Sequence, residues 1–143
     1  MQENLNWKKI NIFSYYKLKR FYNSLCEESK NNFTPRFCRK FVFFVAYMIF
    51  GDVNGYYLTK DNNIIAVGWT NGFENKRGLA VCVSKEFQGK KIGTAIIERL
   101  QEDSTKDIAI SVFEDNKPAL QLYKKLGFKE KRKIKTLEWK KNE

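Results

Sequence analysis

The spacing of apolar positions along this chain changes several times, and each change marks an element. "LNWKKINIF" (5–13) alternates well enough to predict a first strand. Leu18, Phe21, Tyr22 and Leu25 then recur at helical spacing, predicting a helix that opens at Ser14 and runs to about Leu25. "CEESKNN" breaks that pattern. Thr34 and Pro35 form an N-cap and N1 pair, opening a second helix through Phe37, Phe41, Phe44 and Met48 that Gly51 can end. The apolar face of this helix is wide, which predicts deep burial.

The middle of the chain has a period of two. "GYYLTK" and "NIIAVGWT" are β-rich runs joined at "DNN", a hairpin signal. "NGFENKRG" (71–78) reads as a polar loop. "LAVCVS" (79–84) and "DIAISVF" (107–113) are short apolar runs bounded by polar segments, as buried strands are. Between them Ile92, Ile96, Ile97 and Leu100 form one helical stripe. "NKPALQLYKKLGF" (116–128) has Pro118 in its first turn and Gly127 at its C-terminal cap, with Ala119, Leu122 and Leu126 facing inward. "TLEWK" predicts a last strand. The order β-α-α-β-β-β-α-β-α-β-(β) describes one mixed α/β domain over residues 1–143, and the unit 79–113 predicts a right-handed crossover between parallel neighbours.

Composition narrows the chemistry. A hydrophobic fraction of 43% and an aromatic fraction of 15% belong to a packed globule. The densest apolar run, "FVFFVAYMIF" (41–50), is too short to cross a bilayer, which takes ~20 residues. "MQENLNWKKI" contains no signal-peptide core, so the expected location is the cytoplasm, with no membrane partner. The chain has no histidine, which excludes Ser-His-Asp and Cys-His hydrolase machinery, and Cys26, Cys38 and Cys82 are too few and scattered for a zinc site. No metal is expected. Lys and Arg outnumber acids 27 to 16, for a net charge of +11. That charge fits attraction to polyanions, and it fits equally the lysine- and asparagine-rich habit of an AT-rich coding sequence.

The segment "EFQGKKIGTAIIERL" (86–100) puts two glycines and two lysines between a strand and a helix. A helix start exposes unpaired N–H groups with partial positive charge, and glycine lets backbone approach a ligand closely. Gly89 and Gly93 flank the first turn, and Lys90 and Lys91 add full charges. The segment therefore reads either as a phosphate cradle or as an ordinary turn with solvated lysines. It is neither a P-loop nor a dinucleotide fingerprint, so nucleoside triphosphates and nicotinamide cofactors are poor fits.

"VCVSKEFQGKKIGTAIIERL" resembles motif A of the Gcn5-related N-acetyltransferases, whose acetyl-CoA loop reads Q/R-x-x-G-x-G/A. Gln88 and Gly93 match, and Lys91 stands where the middle glycine usually falls. "EDNKPALQLYKKLGFKE" resembles motif B of that family, N-x-x-A-x-x-L-Y-x-x-L-G-F, at Asn116, Ala119, Leu122, Tyr123, Leu126, Gly127 and Phe128. The two motifs cover about residues 79–130. The resemblance implies a mixed sheet of about six to seven strands, splayed between the fourth and fifth, with about four flanking helices.

It also implies acetyl-CoA as acyl donor and direct transfer to a primary amine in a ternary complex. The pantetheine arm would pair with backbone at about Val81 to Val83. The diphosphate would rest on the N–H groups of Gln88, Gly89, Lys90, Lys91, Ile92, Gly93 and Thr94. Backbone N–H near Val83 would hold the oxyanion, Asn116 would cap its helix and bond the pantetheine, and Tyr123 would protonate the departing thiolate. Many relatives carry a glutamate base where this chain has Gly78, leaving Glu74, Glu114 or water for that role. Cys82 lies in an apolar strand with no histidine to activate it, which disfavours an acetyl-cysteine route. A silent acyl-CoA sensor and a basic nucleic-acid-binding module on the same fold are the other readings. The acceptor is unidentified; the positive charge suits a neutral or acidic one better than a polyamine. The chain could act as a monomer or as a homodimer.

Overall fold

The computed structural model of the chain describes residues 5–32, 40–73, 75–133, 135, 137 and 139. Its frame is a five-stranded sheet in sequential order: β1 (Asn6–Lys9), β2 (Asn54–Lys60), β3 (Asn63–Phe73), β4 (Lys76–Val83) and β5 (Ile108–Ala109). The first four strands run antiparallel, and β5 lies parallel to β4. Parallel neighbours need a crossover, supplied here by helix α4 (Ile92–Glu102). Helices α1 (Tyr15–Ser24), α2 (Glu27–Asn32) and α3 (Phe41–Phe50) separate β1 from β2, and α5 (Lys117–Lys125) follows β5.

Several details depart from the sequence reading. Ser14 does not cap α1 through its side chain. A single 3-10 turn over Ile12–Ser14 precedes the helix, and Asn11 caps that turn, with the Ser14 hydroxyl accepting the Asn11 N–H at 3.1 Å. "CEESKNN" does follow the end of α1 at Ser24, but it is itself helical: Glu27 and Glu28 in the first turn and Lys30 in the last suit the helix dipole of α2. Residues 33–39, where Thr34 and Pro35 predict a helix start, lie outside the described residues. Lys40 is extended, so α3 itself begins at Phe41 and ends at Gly51. This helix buries only Phe44 completely; Val42, Phe43, Ile49 and Phe50 remain exposed. The predicted last strand has Thr136, Glu138 and Lys140 outside the described residues, while Leu137 and Trp139 are exposed. The described residues thus give five strands and five α-helices, against the six to seven strands and four helices expected.

The hairpins are tighter than the sequence reading. Asp61 and Asn62 both have positive φ, 49° and 65°, giving the two-residue primed turn that matches strand twist. The stretch read as a loop, 71–78, is mostly ladder: Asn71 pairs with Gly78, Gly72 with Arg77 and Phe73 with Lys76. Its polarity misleads because Arg77 is buried yet fully satisfied. Its guanidinium donates to Thr70 Oγ1 at 2.9 Å, to Asp52 Oδ2 at 2.6 Å and to the Asp52 carbonyl.

The sheet separates two apolar cores. Tyr15, Leu18, Phe21 and Phe44 pack with Tyr57, Val67, Trp69 and Cys82 on one face. Ile92, Ile96, Ile97, Leu100 and Tyr123 pack with Leu58, Ala66 and Leu79 on the other. Gly68 lets α4 approach this second face, since a methyl there would sit 2.3 Å from Ile96 Cγ2. Ile96 is fully buried and β-branched, so it cannot swing aside. Gly68→Ala is expected to lower stability by about 1–3 kcal/mol in urea denaturation, with the far-UV spectrum unchanged.

Candidate functional site

β4 and β5 pair only at Arg77–Ile108 and Gly78–Ala109. Beyond them the strands part, although the apolar run continues and Ile110 and Val112 still pack against the α4 core. Ladder alternation then decides which backbone groups are left over. The Ser84 N–H donates to Ile65 O at 2.8 Å on the β3 side, and the Arg77 N–H donates to Asp107 O at 2.9 Å on the β5 side. Even-numbered residues of β4 therefore turn their amides to β3. Odd-numbered residues turn theirs to the β5 side, where the Gly78–Ala109 pair uses the Leu79 N–H, so Val81 and Val83 are the ones that face the open edge. The splay exposes a row of unpaired backbone amides, and Val81 and Val83 belong to it.

At the end of that edge a 3-10 turn (Lys85–Phe87) leads into the segment 88–94. Gln88 folds back, its Nε2 donating to Val83 O at 3.0 Å. Gly89 has φ +75° and nothing near a would-be Cβ, so the dihedral alone calls for glycine. Lys91, the N-cap residue of α4, is also left-handed, at φ 61°. Gly93 is an ordinary helical residue with Val83 and Leu122 packed over it. The first helical bond runs from the Ala95 N–H to Lys91 O. The amides of Gly89, Lys90, Lys91, Ile92, Gly93 and Thr94 thus have no hydrogen-bond partner among the described residues. No acidic side chain occupies the first turn of α4. The arrangement is an anion cradle in chemistry and shape.

The other wall of the gap is α5. Asn116 accepts the Ala119 N–H on its side chain at 3.3 Å, and Pro118 sits in the first turn. Gly127, at φ +86°, closes the helix and brings Phe128 back so that its ring meets Tyr123 edge-on at 5.5 Å. Tyr123 is only 8% exposed. Its hydroxyl has no hydrogen-bond partner among the described residues and is not sealed from solvent. Burial, with the Cys82 thiol as a second contributor, pushes the phenol up to about 12, so it keeps its proton at neutral pH. Burial also pushes Cys82 up to about 12. Among the base candidates, Glu74 lies outside the described residues, and Glu114 is an exposed partner of Lys133 at 3.7 Å. At Gly78, Asn71 Oδ1 lies 3.2 Å from where a side chain would begin. Two residues that sequence reading did not single out, Lys60 and Phe87, border the cradle. Only the hairpin register brings Lys60 there, and no motif announces it.

The family model of the acetyltransferase (GNAT) domain matches residues 40–130. The chain belongs to the GNAT acetyltransferase family. Among solved structures it resembles the GNAT domain of S. lividans PAT, with 19% identity, 92% of this chain and 85% of that chain covered, and a TM-score of 0.76. It also resembles a predicted acetyltransferase with acetyl-CoA from Clostridium acetobutylicum (16% identity, 94% and 96% covered, TM-score 0.71). A third likeness is to the ribosomal-protein-S18-alanine N-acetyltransferase from Escherichia coli (16% identity, 90% and 79% covered, TM-score 0.68). At these identities the likeness is one of fold. Comparison with curated protein sequences gives no match.

Two outcomes follow from the local geometry. A left-handed backbone at position 91 ranks Gly above Lys and Lys above a β-branched residue. Lys91→Gly is expected to raise the urea midpoint and Lys91→Val to lower it. With its pKa near 12, roughly one Cys82 in ten thousand is thiolate at pH 8. Peptide mapping after iodoacetamide at pH 8 is expected to find exposed Cys26 alkylated and Cys82 intact in the folded protein.

Proposed function

We infer that this chain is an acetyl-CoA-dependent N-acetyltransferase that passes acetyl directly to a primary amine within a ternary complex. The observation that carries this reading is the pair of unpaired backbone rows, the outer edge of β4 at Val81 and Val83 and the amides of Gly89–Thr94, with Tyr123 packed in the same core as Val81 and Val83. The residues fit the donor. An amide-bearing arm needs N–H and C=O groups spaced as in a strand, which Val81 and Val83 offer. A diphosphate needs convergent donors, which the cradle offers; Lys90 and Lys91 add charge, and the Asn116 amide nitrogen, unused in its cap, faces no competing partner among the described residues. One relative by fold is described with acetyl-CoA, which agrees with this donor. The same reading treats residues 1–143 as a single acetyltransferase domain working in the cytoplasm.

Amine attack on the thioester carbonyl builds negative charge on its oxygen. An unpaired N–H of the β4 edge can receive that charge without reorganising, because β3 already holds the strand from its other side. Collapse expels a thiolate. Tyr123, protonated and held in place by Phe128, is the group that donates to it. A detour through an acetyl-cysteine has no support, since Cys82 is buried and neutral. No carboxylate among the described residues stands out as a base, which leaves an amine that arrives neutral and, after attack, passes its surplus proton to water.

The test is turnover of acetyl-CoA against an amine library, followed by thiol release. With an acceptor in hand, Tyr123→Phe is expected to lower kcat at least tenfold while the Kd for coenzyme A stays within about twofold. Unchanged kcat would remove the acid role. Stabilisation by acetyl-CoA without turnover on any amine would turn the reading to an acyl-CoA sensor.

A further inference from the structure

Helix α3 carries no charged side chain, and its one polar side chain is that of Tyr47. Phe44 turns inward and is fully buried in the core beneath the helix. Val42, Phe43, Ala46, Ile49 and Phe50 fall at i, i+1, i+4, i+7 and i+8, a single stripe on the side away from Phe44. All but half-buried Ala46 are exposed, Phe50 at 84%. At the start of the helix Phe41 stacks on Tyr16 of α1, with ring centroids 6.3 Å apart and planes 14° from parallel. That stack joins the stripe to the outer side of α1, where Tyr16 follows Phe13, itself 83% exposed. At ~200 Å² for each aromatic side chain, Phe13, Tyr16, Phe41, Phe43 and Phe50 alone leave roughly 700 Å² open. The largest apolar patch on a soluble monomer is usually about 300–600 Å².

Charge says what covers this face. Residues 12–24 and 40–51 contain no Asp or Glu, and they contain Lys17, Lys19, Arg20 and Lys40, all exposed. The acids that flank these segments belong to α2 and to the turn after α3; Glu27 pairs with Lys30 there and Asp52 with Arg77. The face is thus apolar aromatic surface bordered by cations of one sign. A second copy of the chain would bring the same four cations together across a two-fold axis, which is repulsive. The outer stripe of α3 also offers no hydrogen-bonding group, whereas a protein partner's register is ordinarily fixed by several such bonds. An anionic lipid surface asks for neither. It accepts rings at its headgroup boundary and attracts lysines and arginines beside them.

We propose that the joint outer face of α1 and α3 docks this protein on the surface of an anionic lipid bilayer, aromatic side chains entering the headgroup boundary and cations meeting lipid phosphates. The proposal departs from the sequence expectation of no membrane partner and makes no use of the donor assignment. The contact is peripheral, since among the described residues no helix is long and apolar enough to cross a membrane. Cosedimentation of the full chain with vesicles tests it, using phosphatidylcholine alone or mixed with equal phosphatidylglycerol, at about 0.1 M salt. The wild type is expected to bind the mixed vesicles at least about tenfold more tightly than the neutral ones. Phe13→Ser combined with Phe50→Ser alters only exposed side chains, so the urea midpoint should hold while binding to mixed vesicles falls about tenfold. Lys17→Gln combined with Arg20→Gln should also weaken that binding about tenfold. No binding of the wild type to mixed vesicles would overturn the proposal and leave the face to a protein partner. Full binding by the phenylalanine variant would overturn it as well, because a chain of net charge +11 can adhere by charge alone. So would a wild-type dimer in light scattering that the phenylalanine variant turns into a monomer, which would give the face to a second copy.

Discussion

Everything at the site depends on how briefly β4 and β5 touch. They share two register pairs, Arg77–Ile108 and Gly78–Ala109, and then separate. Unpaired backbone in a sheet interior is costly unless something else satisfies it. The fold meets that constraint by pinning β4 firmly on its other flank, along eight register pairs with β3, and by anchoring its first residues through the Arg77 guanidinium to Asp52 and Thr70. A strand so held can leave its outer edge vacant without closing on it. The vacancy is the groove proposed to take the donor's arm.

The chemistry proposed for this groove belongs to the main chain. The chain has no histidine, and its one buried cysteine among the described residues is neutral. What remains are amides that point in a useful direction because strand and helix geometry leaves them over. This accounts for the tolerance of lysine at position 91. The proposed cradle would use the N–H of that residue, and the left-handed backbone is tolerable, if strained, for a flexible unbranched side chain. Tyr123 is the exception, the side chain to which the proposal gives a chemical task, and its surroundings of Phe128 and the α4 core hold it in place.

Legibility in the sequence followed the strength of local signals. The motif around Asn116–Phe128 could be read because cap, apolar spacing and C-terminal glycine all agree with the helix observed. The stripe Ile92, Ile96, Ile97 and Leu100 was equally plain, and all four are buried. Misreadings arose where a tertiary partner reverses a local preference. Residues 71–78 look like a loop because nothing in the sequence says that Arg77 will find Asp52 and Thr70. Residues 107–113 look like a full strand because side-chain alternation persists after the backbone has left the ladder. The α3 helix looks like core because a helix apolar all round usually is, yet among the described residues little covers its outer face. The cradle was visible as glycines and lysines, whereas Lys60 was not, since strand register alone carries it there.

The missing methyl at Gly68 has a reach beyond its own neighbourhood. Helix α4 rests on that bare spot of β3, and the same helix offers its leading amides to the groove some three turns of backbone away from its far end. The depth to which Ile96 settles therefore sets the height of the helix's leading end above the sheet. Core density on one layer works as a calibration screw for ligand geometry on another. A lineage could retune its grip on the acyl carrier by adjusting atoms that never come near it.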